Sequence, residues 1–208
     1  MSVNQSLSPY SVCTQFCIPH PEGDFLGKVN ERTTPEEFDQ LLTKYPTYKI
    51  DHCGPKTGTH ALSRAATVGN VDLIYHIALR LNGKHLINIG SGGNMWDQKP
   101  NGWTPLYFVM SGCHPERKYE AAEALLALGA DPNISTTEHG LDKTFPPYST
   151  PLYLAAERGN LRVAKLLLLN GAVANPPPSS KGKETLERAE LELRLAQKMT
   201  SISQKVFS

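Results

Sequence analysis

The chain has 208 residues, a formal net charge of +1 and a hydrophobic fraction of 39%. Such a length can bury a real core, while a near-neutral charge excludes a strong field that would steer nucleic acid or an anionic membrane surface. No apolar run approaches the roughly 20 residues that a membrane-spanning helix needs.

Residues 1–32 are polar, proline-bearing and without period, which predicts a flexible or irregular arm. Their start lacks the basic and apolar regions of a secretory signal peptide, so an intracellular, reducing setting with free thiols is expected. Cys13, Cys17 and His20 form a C-x₃-C-x₂-H pattern, with His52 and Cys53 further on. Structural zinc needs four converging N or S donors at characteristic spacings, and this spacing does not supply them.

Regular structure is expected from residue 33. In "TTPEEFDQLLTKYP" Thr34 is an N-cap, Pro35 suits the first turn and Glu37 completes a capping box. Phe38, Leu41 and Leu42 make the apolar stripe, and Tyr45-Pro46 ends the helix. Three related units follow. "THALSRAATVGN" begins at Thr59, "TPLYFVMSG" at Thr104 and "TPLYLAAERGN" at Thr150, each predicting a short helix. A second helix should follow in each, ending in "LLALGADPN" (Leu125 to Asn133) and "LLLLNGAVAN" (Leu166 to Asn175) in the last two. Gly159 and Gly171 are read as left-handed helix stops. Isolated helices this short are marginal in water, so the units must stack to be stable. The expected apolar layer contains Leu62, Leu106, Leu125, Leu152 and Leu167.

These residues resemble the ankyrin-repeat family, whose Thr-Pro-Leu-His-x-Ala signature appears as "TPLYLA", "TPLYFV" and "HALSRA". The resemblance covers roughly residues 35 to 175. It implies an all-α solenoid of stacked helix-turn-helix units with long finger loops. The units would be a half-unit at 33–57 and repeats at 58–88, 102–133 and 148–175. Tyr107, Tyr153 and Ser63 stand where the family places a histidine that bonds between repeats, and a tyrosine hydroxyl can do similar work. The signature leucines Leu62, Leu106 and Leu152 recur at intervals of 44 and 46 residues, against roughly 33 in the family. Part of the excess lengthens the inter-helix turn around "GCHPERKY". The rest makes two long fingers, one with "IGSGGNMW" (Ile89 to Trp96) and one with "ISTTEHGLDKTFPPYS" (Ile134 to Ser149).

Beyond Asn175 a proline-rich linker leads to "KETLERAELELRLAQKM", read as a charged helix capping the last repeat, and to a polar tail, "TSISQKVFS". The acidic cluster before a Ser/Thr-bearing, apolar end also resembles the C-terminal export signals of bacterial type IV effectors.

The chemistry-bearing residues do not assemble into a reaction centre. Cys113-His114 lacks an orienting carboxylate and oxyanion donors. "GSGGN" (Gly90 to Asn94) lacks the Lys-Ser/Thr of a phosphate loop. No catalytic residue, cofactor or metal is therefore expected. The resemblance implies a non-enzymatic, monomeric module for a protein partner, an adaptor or an effector acting on a host protein. The groove-facing positions it implies are Arg64, Thr67, Phe108, Ser111, Glu157 and Arg158. The fingers add Met95, Trp96, Phe145 and Tyr148 as aromatic and apolar anchors on loops. Two alternatives are a structural subunit of a larger assembly and an enzyme with a cysteine-based site in the N-terminal arm.

Overall fold

A computed structural model describes residues 26–50, 59–90, 103–136, 148–175 and 179–206, with side chains as far as Ser201. The first long helix, α1 (Pro35–Lys44), starts as its residues require. Thr34 Oγ1 accepts from Glu37 N at 3.2 Å, and Thr34 N donates to Glu37 Oε2 at 2.9 Å. The first repeat contributes α2 (Ala61–Val68) and α3 (Val71–Tyr75). The second contributes α4 (Pro105–Gly112) and α5 (Lys118–Ala127), the third α6 (Pro151–Glu157) and α7 (Leu161–Leu169). A 27-residue helix, α8 (Ser180–Val206), follows.

The helices form two layers. In one, α2 packs on α4, α4 on α6 and α6 on α8; in the other, α3 packs on α5, α5 on α7 and α7 on α8. Leu62, Leu106, Leu125, Leu152 and Leu167 are all buried in the single core between them. No β-strand forms among the described residues. The all-α repeat stack expected from the sequence is therefore the observed one.

Local chemistry explains the repeat boundaries. Thr104 and Thr150 accept from Tyr107 N and Tyr153 N at 3.3 and 3.2 Å, and proline follows each in the first helical turn. Asn70 and Asn160 cap α3 and α7 in the same way. Gly69 (φ +68°) closes α2 in the left-handed conformation, and a Cβ there would lie 2.8 Å from Arg117 Cβ. The second repeat needs more chain in its inter-helix turn, and Cys113 to Arg117 provides it.

Two elements differ from the sequence reading. The second helix of the first repeat widens into a π turn at His76–Arg80, with Leu81 N bonded to His76 O at 3.2 Å. A 3₁₀ turn follows at Gly83–Leu86. Gly83 permits this close return, since a Cβ there would meet Ile77 O at 2.6 Å. The segment read as a polar tail is also helical, because α8 runs unbroken to Val206. No Pro or Gly after Gly182 interrupts it.

Candidate protein-interaction surface

The finger bases are tied to the repeats by buried polar side chains. Tyr107 Oη lies 2.9 Å from Ser149 Oγ, which joins the second repeat to the start of the third. Ser149 N donates to Thr136 Oγ1 at 3.1 Å and Thr136 N donates to Ser149 O at 3.0 Å, closing the base of the second finger. The tyrosine hydroxyl thus makes the inter-repeat bond expected of it. In the first repeat the roles are exchanged. His60 occupies the cap position and accepts from Ser63 N at 3.2 Å, while Ser63 stands at the signature histidine position. The other ring nitrogen of His60 lies 3.3 Å from Ile89 O, at the base of the first finger.

A second set of inter-repeat bonds had no forewarning in the periodicity. Asn88 Nδ2 donates to Gly129 O at 3.1 Å, and its Oδ1 accepts from Asp131 N at 2.8 Å. Asn133 repeats the arrangement one unit later. Its Nδ2 donates to Gly171 O at 3.0 Å and its Oδ1 accepts from Val173 N at 2.8 Å. The available signal was an asparagine shortly before each finger, in "LINIG" and "ADPNI".

Several of the groove positions named from the sequence are engaged within the stack. Arg64 Nε donates to Val29 O at 3.0 Å, drawing residues 26–33 against α2. Thr67 Oγ1 donates to Ser63 O at 2.7 Å, and its methyl fills the space a Cβ at Gly112 would take. Phe108 is buried, with its ring centroid 5.5 Å from that of Trp103. Ser111 Oγ donates to Phe108 O at 3.3 Å. Arg158 donates to Met110 O and, at 3.0 Å, to Ser111 O, which brings Ser111 and Arg158 together across two repeats. Glu157 Oε1 accepts from Ser179 N at 3.2 Å, beside the start of α8. Tyr148 is 62% exposed with φ +60°. Met95, Trp96 and Phe145 lie outside the described residues, as do Cys13, Cys17, His20, His52 and Cys53.

The end of α4 carries an uncommon cationic cap. The buried Lys118 donates through Nζ to Val109 O at 3.0 Å and to Met110 O at 2.6 Å, beside the Arg158 guanidinium. A cleft of about 260 Å³ lies against it, lined by Met110, Cys113, Pro115, Lys118, Ala155, Arg158 and Asn160. Burial, reinforced by Arg158, lowers the Lys118 pKa to about 8, although Cys113 opposes the shift. Burial also pushes the Cys113 thiol up, against the opposing fields of Lys118 and Arg117. A thiol shifted that way is a poor nucleophile. The lysine is used structurally, as a cation on helix-terminal carbonyls.

This has a measurable consequence. Above about pH 8 the folded state releases the Lys118 proton, whereas the unfolded chain holds it to about 10.5. Unfolding therefore takes up a proton in that window, and this contribution to stability rises with pH. Below the window the full cost of burying the ammonium is present. Relative to Lys118→Met, the native protein is expected to gain on the order of 3 kcal/mol between pH 7 and pH 10.5. Paired denaturant melts at the two pH values check it. A stability difference independent of pH would show that Lys118 is not protonically strained.

The family described as ankyrin repeats, in three copies, matches residues 62–177. The match spans the three helix pairs and more than half of the chain. This protein therefore belongs to the ankyrin-repeat family. Repeats of this family are generally protein–protein interaction modules. None of the curated proteins matches the chain. No described helix is long and apolar enough to cross a membrane. Among the described residues no group of three His, Cys, Asp or Glu side chains is placed to hold a metal.

Proposed function

We propose that this protein holds a partner protein through its concave groove and two long fingers, with the fingers supplying the anchors. The observation that carries this reading is Tyr148. A large aromatic side chain stands 62% exposed on a backbone with φ +60°. A left-handed conformation costs a non-glycine residue roughly 1–2 kcal/mol. The next residue, Ser149, is held by Thr136 and Tyr107, so the exposed ring projects from an ordered base. Exposing such a ring gives the free chain little, whereas an aromatic anchor buried at an interface is often worth about 2 kcal/mol. Trp96, on the other finger, is proposed as the second anchor. The partner is an intracellular protein, and the reading requires no reaction chemistry of the repeats.

Trp96→Ala and Tyr148→Ala are each expected to weaken partner binding at least about tenfold with the melting temperature nearly unchanged. The partner is first captured with the intact protein and identified, then titrated calorimetrically with each variant. Lost stability with unchanged affinity would make the fingers packed parts of the fold and leave the groove alone as the binding surface.

A further inference from the structure

The C-terminal helix is longer than its capping role requires. Its 27 residues span about 40 Å. Gly182, Thr185, Leu186 and Ala189 are buried, whereas every residue from Arg194 to Ser201 is exposed. On this distal half an apolar line remains uncovered, with Leu191, Leu195 and Met199 exposed by 56%, 52% and 72%. They recur every four residues, so they lie within about 40° of Leu195 around the helix.

The charges beside this line are one-sided. Arg194 and Lys198 fall along one edge, with Glu192 and Ala196 on the other, and Gln197 and Thr200 lie roughly opposite. No acidic residue follows Glu192, while Arg194, Lys198 and Lys205 do. Glu192 is itself bonded to Lys165 and Arg188, and Glu190 to Arg194. Lys198 makes no ion pair among the described residues.

We propose that residues 191–201 of α8 form a second docking surface, for an amphipathic helix of a partner protein whose apolar seam is flanked by Asp or Glu. The width of the stripe supports a helix as occupant. A seam one side chain wide suits a helix pair, whereas an interfacial membrane helix needs a broad apolar face. The charge selects an acidic partner rather than a second copy. Antiparallel pairing of two copies would set Arg194 and Lys198 against the same two residues, and like charges on helix flanks disfavour association. An acidic flank complements them and fixes the register. This surface is independent of the groove and fingers, so either can fail without the other.

The test uses the full chain and two fluorescein-labelled helical peptides of about three heptads, alike in their leucine seam. One carries glutamate on its flanks and the other lysine. Fluorescence anisotropy at low and moderate salt should show the acidic peptide bound at least about tenfold more tightly, with a preference that shrinks as salt rises. Leu195→Ser with Met199→Ser should abolish binding, and Arg194→Glu with Lys198→Glu should reverse the preference. Circular dichroism and melting temperature should not change, because all four side chains are exposed. Equal or absent binding of the two peptides overturns the proposal. So does a dimer in sedimentation velocity that the serine variant dissolves, or binding to phosphatidylserine vesicles in place of the peptide.

Discussion

Leu152→Ala is expected to cost about 2–5 kcal/mol of unfolding free energy, the range for a buried leucine truncated in a core that cannot fully close the gap. Leu152 is 1% exposed on α6, which packs simultaneously against α4, α7 and α8. Neighbours on three sides limit collapse into the space left behind, so the cavity term adds to the lost transfer term. Denaturant melts at constant pH measure the change. Repeat stacks are stabilised largely by nearest-neighbour interfaces, so the loss should be local in origin. Amide exchange should accelerate most in the third repeat and α8 and least in α2 and α3. A cost below about 1 kcal/mol would mean that Leu152 does not bridge those layers.

What the sequence made legible depended on how local the physics is. The cap at Thr34 with Glu37, the Thr-Pro starts of α4 and α6 and the stops at Gly159 and Gly171 are each decided within a few residues, so reading along the chain finds them. The leucines of the inter-repeat layer follow from helical period alone. Pairings across about 40 residues were harder to see. Asn88 with Gly129, and Asn133 with Gly171, join side-chain amides to the backbone of the next repeat, and nothing near either asparagine announces its partner. The exchange of His60 and Ser63 concealed a working cap behind a degraded signature. Tyr107's inter-repeat bond followed from substitution chemistry, a tyrosine hydroxyl standing in for the family's histidine. The groove positions did not reveal that Arg64, Glu157 and Arg158 hold other parts of the chain, because those bonds depend on the approach of distant backbone. The length of α8 was misjudged because Ser and Thr weaken a helix signal without ending it.

Ending the chain at Asn175 is expected to lower the melting temperature by several degrees, at roughly 2–4 °C per kcal/mol for a chain of this size, and to cause concentration-dependent association. The loss has identifiable parts. Leu186 and Ala189 are buried against the last repeat, and their removal bares the apolar sides of α6 and α7. Lys165 Nζ loses its 2.7 Å bond to Glu192 Oε2, a contact that, with Arg188, holds the Glu192 carboxyl below its usual range. Glu157 loses Ser179 N. The Lys165–Glu192 ion pair is partly exposed and contributes little; the apolar cover dominates. A second truncation separates cover from length. Ending the chain after Leu193 removes only residues that contact solvent among those whose side chains are described, so the melting temperature should stay within about a degree of the full chain. Scanning calorimetry and sedimentation velocity on both truncations decide between the roles. If the Asn175 protein keeps its stability and stays monomeric, α8 is not the cap of the stack. If the Leu193 protein melts early, the distal half is stabilising the fold, and its exposed seam is not free for a partner.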